Sequence, residues 1–219
     1  MKFIEANSVQ KLPHCEELFK KYFDPWYRAE DRTQRKFEAT RPDMLESSSL
    51  KGKSGADLST IDAEYQKKVL HQISVMTEAA KKDWKSYLPV QEPIDENWIG
   101  KFDSYYDESR VSEVVATSDP SDFSNNYLVL CCEFGAVIGL VMRTREPSLD
   151  WIPDWPYWES AIWDSRTGNL VPVFHWAIKK MSSYGIDDGF QDKTLACLNM
   201  LQLKAEGKWV ENQDGTIGG

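Results

Sequence analysis

Between Tyr127 and Met142 the chain reads YLVLCCEFGAVIGLVM, with Glu133 its one carboxylate and no cation. Apolar residues fall on every face at helical spacing, so a helix here has no side to turn to water. The pattern predicts a central, all-round-buried helix over about 121–145. Ser121 or Asp122 would cap its start, and Arg143 and Arg145 would complement the dipole at its end.

The second strong pattern is Ile61, Tyr65, Val69, Ile73, Met76, Ala80, Trp84 and Tyr87 at spacings of three or four. It predicts one long amphipathic helix, with Ser59 and Asp62 as a capping box and Pro89 as its stop. Lys67, Lys68, Lys81, Lys82 and Lys85 fall on the opposite face, which reads as ordinary solvation. Shorter stripes predict a helix over 13–23, a more polar one anchored by Trp26, Tyr27 and Phe37, and two between Pro93 and Pro120. Residues 40–57 are rich in serine, glycine and charge and read as a long mobile loop.

Past Pro147 the period changes. The stretch WIPDWPYWESAIWDSRTGNLVPVF places aromatic and branched residues around the turn-like DSRTGN, which predicts a β-hairpin. Trp155, Tyr157, Glu159, Ala161 and Trp163 would share one face, while Pro153, Pro156 and Pro172 keep the strands short or at an edge. Two helices follow. Gly185 is expected to stop the first in the left-handed conformation, and Asp188 with Gln191 to cap the second.

These elements amount to a mostly helical α+β fold: a central buried helix wrapped by amphipathic helices, with one small antiparallel β-hairpin. Residues 1–92 form an N-terminal helical part packed on an α+β core at 93–205, with a flexible tail at 206–219; the whole reads as one folded unit.

Composition narrows the function classes. The 219 residues carry 35 acidic against 26 basic side chains, a net charge of -9. This disfavours nucleic acid and anionic membrane and favours a basic protein partner. Residues 111–219 hold 15 acidic and 8 basic side chains, residues 1–110 hold 20 and 18, so the excess lies in the C-terminal half. Cys15, Cys131, Cys132 and Cys197 have no metal or redox spacing and read as reduced core thiols. The first residues acquire Glu5 before any apolar stretch forms, which points to a cytoplasmic protein. A 16-residue run containing a glutamate is short for a bilayer span.

No catalytic, cofactor or metal motif is legible. Glu133 is the first residue of interest, because a carboxylate in an apolar helix must be paired, neutralised or placed at a cavity. Lys179, Arg143 and His175 are candidate partners. Gly135 and Gly139 share one face and would admit a second helix closely. His175 lacks an accompanying Ser or Cys nucleophile; His14 and His71 read as surface or boundary residues, and the pair Asp187 and Asp188 as helix capping. Five of the nine tryptophans fall between Trp151 and Trp176. A small sheet does not easily bury them all, so two arrangements stay open: Trp151, Asp154, Trp155, Tyr157, Trp158, Glu159, Trp163 and Asp164 form a partner-binding surface, rigid aromatics beside steering carboxylates, or the rings pack on the central helix and the long amphipathic one.

The segments CEFGAVIG, PYWES, FHWAIKKMS and YGIDDG, within residues 95–203, resemble a bacterial α+β family of unknown function. Some of its members are encoded beside secreted toxins as immunity proteins. The resemblance brings no catalytic residues. It implies a non-enzymatic cytoplasmic protein that occludes the active site of a cognate toxin. Two other readings stay open: a small enzyme or ligand-binding domain with a pocket around Glu133, His175 and Glu159, and a structural adaptor or self-associating subunit.

Overall fold

The computed structural model describes residues 11–28, 44–88 and 94–209. They form eight α-helices and one four-stranded antiparallel sheet, a mostly helical α+β fold. The helices are α1 (Cys15–Tyr22), α2 (Gly55–Leu58), α3 (Ala63–Asp83), α4 (Glu96–Tyr105), α5 (Glu108–Thr117), α6 (Asn126–Arg145), α7 (Val173–Lys180) and α8 (Phe190–Ala205). The strands are β1 (Leu45–Glu46), β2 (Leu149–Ile152), β3 (Ala161–Asp164) and β4 (Asn169–Val171), in the order β1-β4-β3-β2.

Helix α6 is the axis of the molecule, packed by α3, α5, α7, α8 and β2. By length and composition it would cross a membrane, yet 78% of its apolar window is buried inside the protein. Its two glycines explain how so many neighbours reach it. A methyl at Gly135 would meet Phe174 Cδ1 at 2.4 Å and its Cα at 2.9 Å, and one at Gly139 would meet Trp151 Cζ2 at 2.3 Å. Helix α7 and strand β2 therefore lie against α6 at distances that only glycine permits. One cluster of buried apolar side chains runs from Leu12 through Val69 and Ile138 to Leu201, taking residues from both sides of position 92.

Several expected boundaries move. Helix α6 starts at Asn126, capped by Asn125, whose side chain accepts from Leu128 N; Ser121 and Asp122 belong to the preceding loop. Helix α3 is capped by Asp62 itself, which accepts from Glu64 N and Tyr65 N. The capping box lies at α2 instead, between Ser54 and Asp57. Gly185 keeps a negative φ; among the described glycines only Gly52, Gly168 and Gly207 are left-handed. Helix α8 begins after Gly189 with no side-chain cap of its own. Asp103 of α4 accepts from Gln191 N at 3.0 Å instead, so a neighbouring helix supplies the cap.

The expected mobile loop is ordered where it is described, over 44–57. It holds β1, a 3-10 turn and α2, and Ser47 N donates to Gly168 O. Residues 40–43, Phe37, Pro89 and Pro93, and the tail beyond 209 lie outside the described residues. The hairpin is half as expected. DSRTGN does turn between β3 and β4, pairing Ile162 with Val171 and Trp163 with Leu170. Gly168 has φ +78°, and a methyl there would meet Ser47 O at 2.6 Å, so the turn requires glycine. The strand does not extend back to Trp155: Tyr157–Glu159 is a 3-10 turn, because Pro153 and Pro156 have no amide to give a ladder.

Candidate functional site

The aromatic stretch 151–164 faces inward. Trp151, Tyr157, Trp158 and Trp163 are all buried, as is Asp164, and Asp154, Trp155 and Glu159 are half-buried. Of the two arrangements open to these residues, inward packing is the one observed, and the exposed surface is not. The rings find polar partners from segments far away in sequence: Trp158 Nε1 donates to Tyr27 Oη at 3.0 Å and Trp163 Nε1 to Lys53 O at 3.0 Å. Trp151 fills the trough over Gly139, and Trp155 meets the edge of Tyr65. The carboxylates are occupied as well. Asp164 is held by Arg166, whose Nε lies 3.0 Å away and whose other arm reaches Glu146. Asp154 accepts from Thr60 Oγ1 at 2.9 Å.

Glu133, His175 and Glu159 do not converge. His175 Nε2 stands 3.6 Å from Glu159 Oε2, and Tyr27 donates its hydroxyl to Glu159 Oε1. This pair, packed on Phe19 of α1, ties α7 to the turn at 157–159. Lys179 lies over the ring of Tyr184. Arg143 turns to Leu149 O and Asp150. None of the three expected partners reaches Glu133.

Glu133 is instead 4% exposed and accepts a hydrogen bond from Trp84 Nε1 at 2.8 Å. Burial pushes its carboxyl up to about 7, the indole N–H opposing and Asp83 adding to the rise. No cation among the described residues pairs with it. The carboxyl opens into a cleft of about 340 Å³ between α3, α4, α5 and α6. Tyr87 and Tyr105 stack on one wall at 5.0 Å, with Tyr106 edge-on to both. Tyr106 donates its hydroxyl to Tyr87 at 3.2 Å, and burial raises both phenols. Asp83, Glu113 and Arg110 are the other charged residues of the lining. Arg110 is already engaged, its guanidinium 3.9 Å above the Tyr105 ring.

A second feature was hidden in what reads as a capping segment. Phe123 is 48% exposed, in the loop between α5 and α6, with Trp26 edge-on to it at 5.1 Å. Around and before it, Asp107, Glu108, Glu113, Asp119 and Asp122 are all exposed, against Arg110 as the one cation between residues 107 and 122. The signal in the sequence was a single phenylalanine inside PSDFSNN, which no apolar periodicity claims.

Asp103 and Lys180 are a further pair that sequence reasoning missed. Lys180 is 3% exposed, yet its ammonium reaches Asp103 Oδ1 at 3.2 Å and Ile186 O at 2.8 Å. They pin α4, α7 and the start of α8 together. All four cysteines are buried, and none is in a disulfide among the described residues. Burial holds the Cys15 thiol at about 11 and Cys132 at about 12, which leaves both protonated and inert at neutral pH. Comparison with protein-family models, with curated proteins and with solved structures found no match.

Proposed function

We propose that this protein is an acidic, non-enzymatic binding protein that neutralises a basic protein partner by occluding it, in the manner of a toxin-immunity protein. The observation that carries the reading is Phe123, a half-exposed ring next to Trp26, with the exposed carboxylates Asp119 and Asp122 in the same loop. A rigid aromatic supplies desolvated contact area, and the charges around it steer a cationic partner and oppose an anionic one. The net charge of -9 acts in the same direction at longer range. The partner class is taken from the resemblance of segments within residues 95–203 to a bacterial α+β family of unknown function, some of whose members are encoded beside secreted toxins.

The contact surface in this reading is the α5–α6 loop rather than the inward-facing hairpin. Affinity capture with the full chain, followed by calorimetry on the purified partner, tests it. The captured partner is expected to be basic, and Phe123→Ser combined with Asp119→Asn and Asp122→Asn to weaken binding at least about tenfold. Retention of no basic protein, or unchanged affinity of the triple variant, would sink the reading.

A further inference from the structure

We infer that the cleft between α3, α4, α5 and α6 is a receptor for a primary ammonium group, taken against Glu133 Oε1 between tyrosine rings. Three observations converge on this chemistry. The carboxyl is buried, and its one hydrogen bond among the described residues goes to Oε2 from Trp84 Nε1. Oε1 is left for an incoming donor. A buried carboxylate without a cation is costly, and a cation entering the cleft removes that cost.

The walls suit the same group. Tyr87, Tyr105 and Tyr106 present ring surface to a cavity of about 340 Å³, room for an alkylammonium chain. Aromatic faces beside a carboxylate attract ammonium through the ring quadrupole, and the rings give the alkyl stem an apolar bed. The rim carries Asp83 and Glu113, so the cleft is negative at its mouth as well. The opposing charge is Arg110, which also lines the cleft and holds its guanidinium 3.9 Å from the centre of the Tyr105 ring. An anion would face up to three carboxyls and one cation, and an uncharged ligand would leave Glu133 as it is.

The inference stands independently of the partner reading. A free amine and the lysine side chain of a protein carry the same group, and two probes separate these sources: n-butylammonium, and N-acetyl-lysine methylamide. Calorimetry at pH 8 is expected to show that at least one of them binds, and that n-butanol and acetate bind at least about tenfold more weakly. Glu133→Gln is expected to weaken binding of the ammonium probe at least about tenfold, while Arg110→Gln, which removes a competing cation, tightens it. At pH 7 binding should release about half a proton, because a carboxyl titrating near 7 is driven to its charged form. If Glu133→Gln does not fold, Tyr105→Ala serves in its place, with a loss of about threefold expected. Absence of binding by both probes, equal binding of n-butanol, or unchanged affinity in the substituted cleft overturns the inference.

Discussion

Asp103 and Glu133 are carboxylates on neighbouring helices, both removed from most of the solvent, and their surroundings differ in one respect. Asp103 meets the ammonium of Lys180 at 3.2 Å and the Gln191 amide at 3.0 Å. Glu133 meets a neutral indole N–H and no cation among the described residues. Burial raises both carboxyls; at Asp103 Lys180 and the backbone amides of Gln191 and Phe190 oppose the rise, whereas at Glu133 only the Trp84 indole opposes it and the carboxyl reaches about 7. A carboxylate whose needs are met by its own fold is a structural pin. One left half-met at a cleft stores an unspent preference for a cation.

The sharpest way to break this comparison is to remove the cation from the satisfied side. Lys180→Met leaves Asp103 without its ion pair and two carbonyls, Ile186 and Asp188, without their donor. A stability loss of about 3 kcal/mol is expected in urea unfolding at pH 7. A loss under about 1 kcal/mol would show that Asp103 is no better supported than Glu133.

On the other side, substitution should stabilise. A carboxyl whose folded-state titration lies at about 7, against 4.5 as the ordinary value, binds more protons folded than unfolded across that window. Its favourable contribution is therefore complete below pH 4.5 and is lost as pH rises through 7. Glu133→Gln removes this dependence. The variant should match the wild type near pH 4.5 and exceed it by about 2 kcal/mol at pH 8, allowing for water in the cleft. Parallel pH profiles for the two proteins would place a hidden partner on Glu133 and end the contrast.

The smallest effect sharpens the cause. Asp83 is exposed, and its charge adds to the rise at Glu133. Asp83→Asn should lower the Glu133 titration midpoint, followed by carbon NMR of the side-chain carboxyl, while global stability changes by less than about 0.5 kcal/mol. No movement of the midpoint would leave burial as the whole cause.

How much of this was legible follows the range of the interactions. Helices α3, α6, α7 and α8 were readable because period 3.6 is written in adjacent turns. Their caps were less so: Asp103 caps α8 from 88 positions away in the chain, and no local motif records that. Glu133 was recognisable as an anomaly from its apolar neighbours, yet its hydrogen-bond donor is the indole of Trp84, 49 positions earlier. The inward turn of Trp158 depends in the same way on Tyr27, 131 positions before it.

The sequence by itself determined that Tyr127–Met142 would be the buried axis, since an all-round apolar helix has only one stable place, and that Glu133 would be costly there. What the carboxyl faces was decided by the tertiary structure alone. Gly135 and Gly139 let α7 and Trp151 close one side of α6 completely. On the side where Glu133 emerges, Tyr87, Tyr105 and Tyr106 line a cleft. Packing density on opposite faces of one helix is a property of its neighbours, and only folding brings those neighbours together.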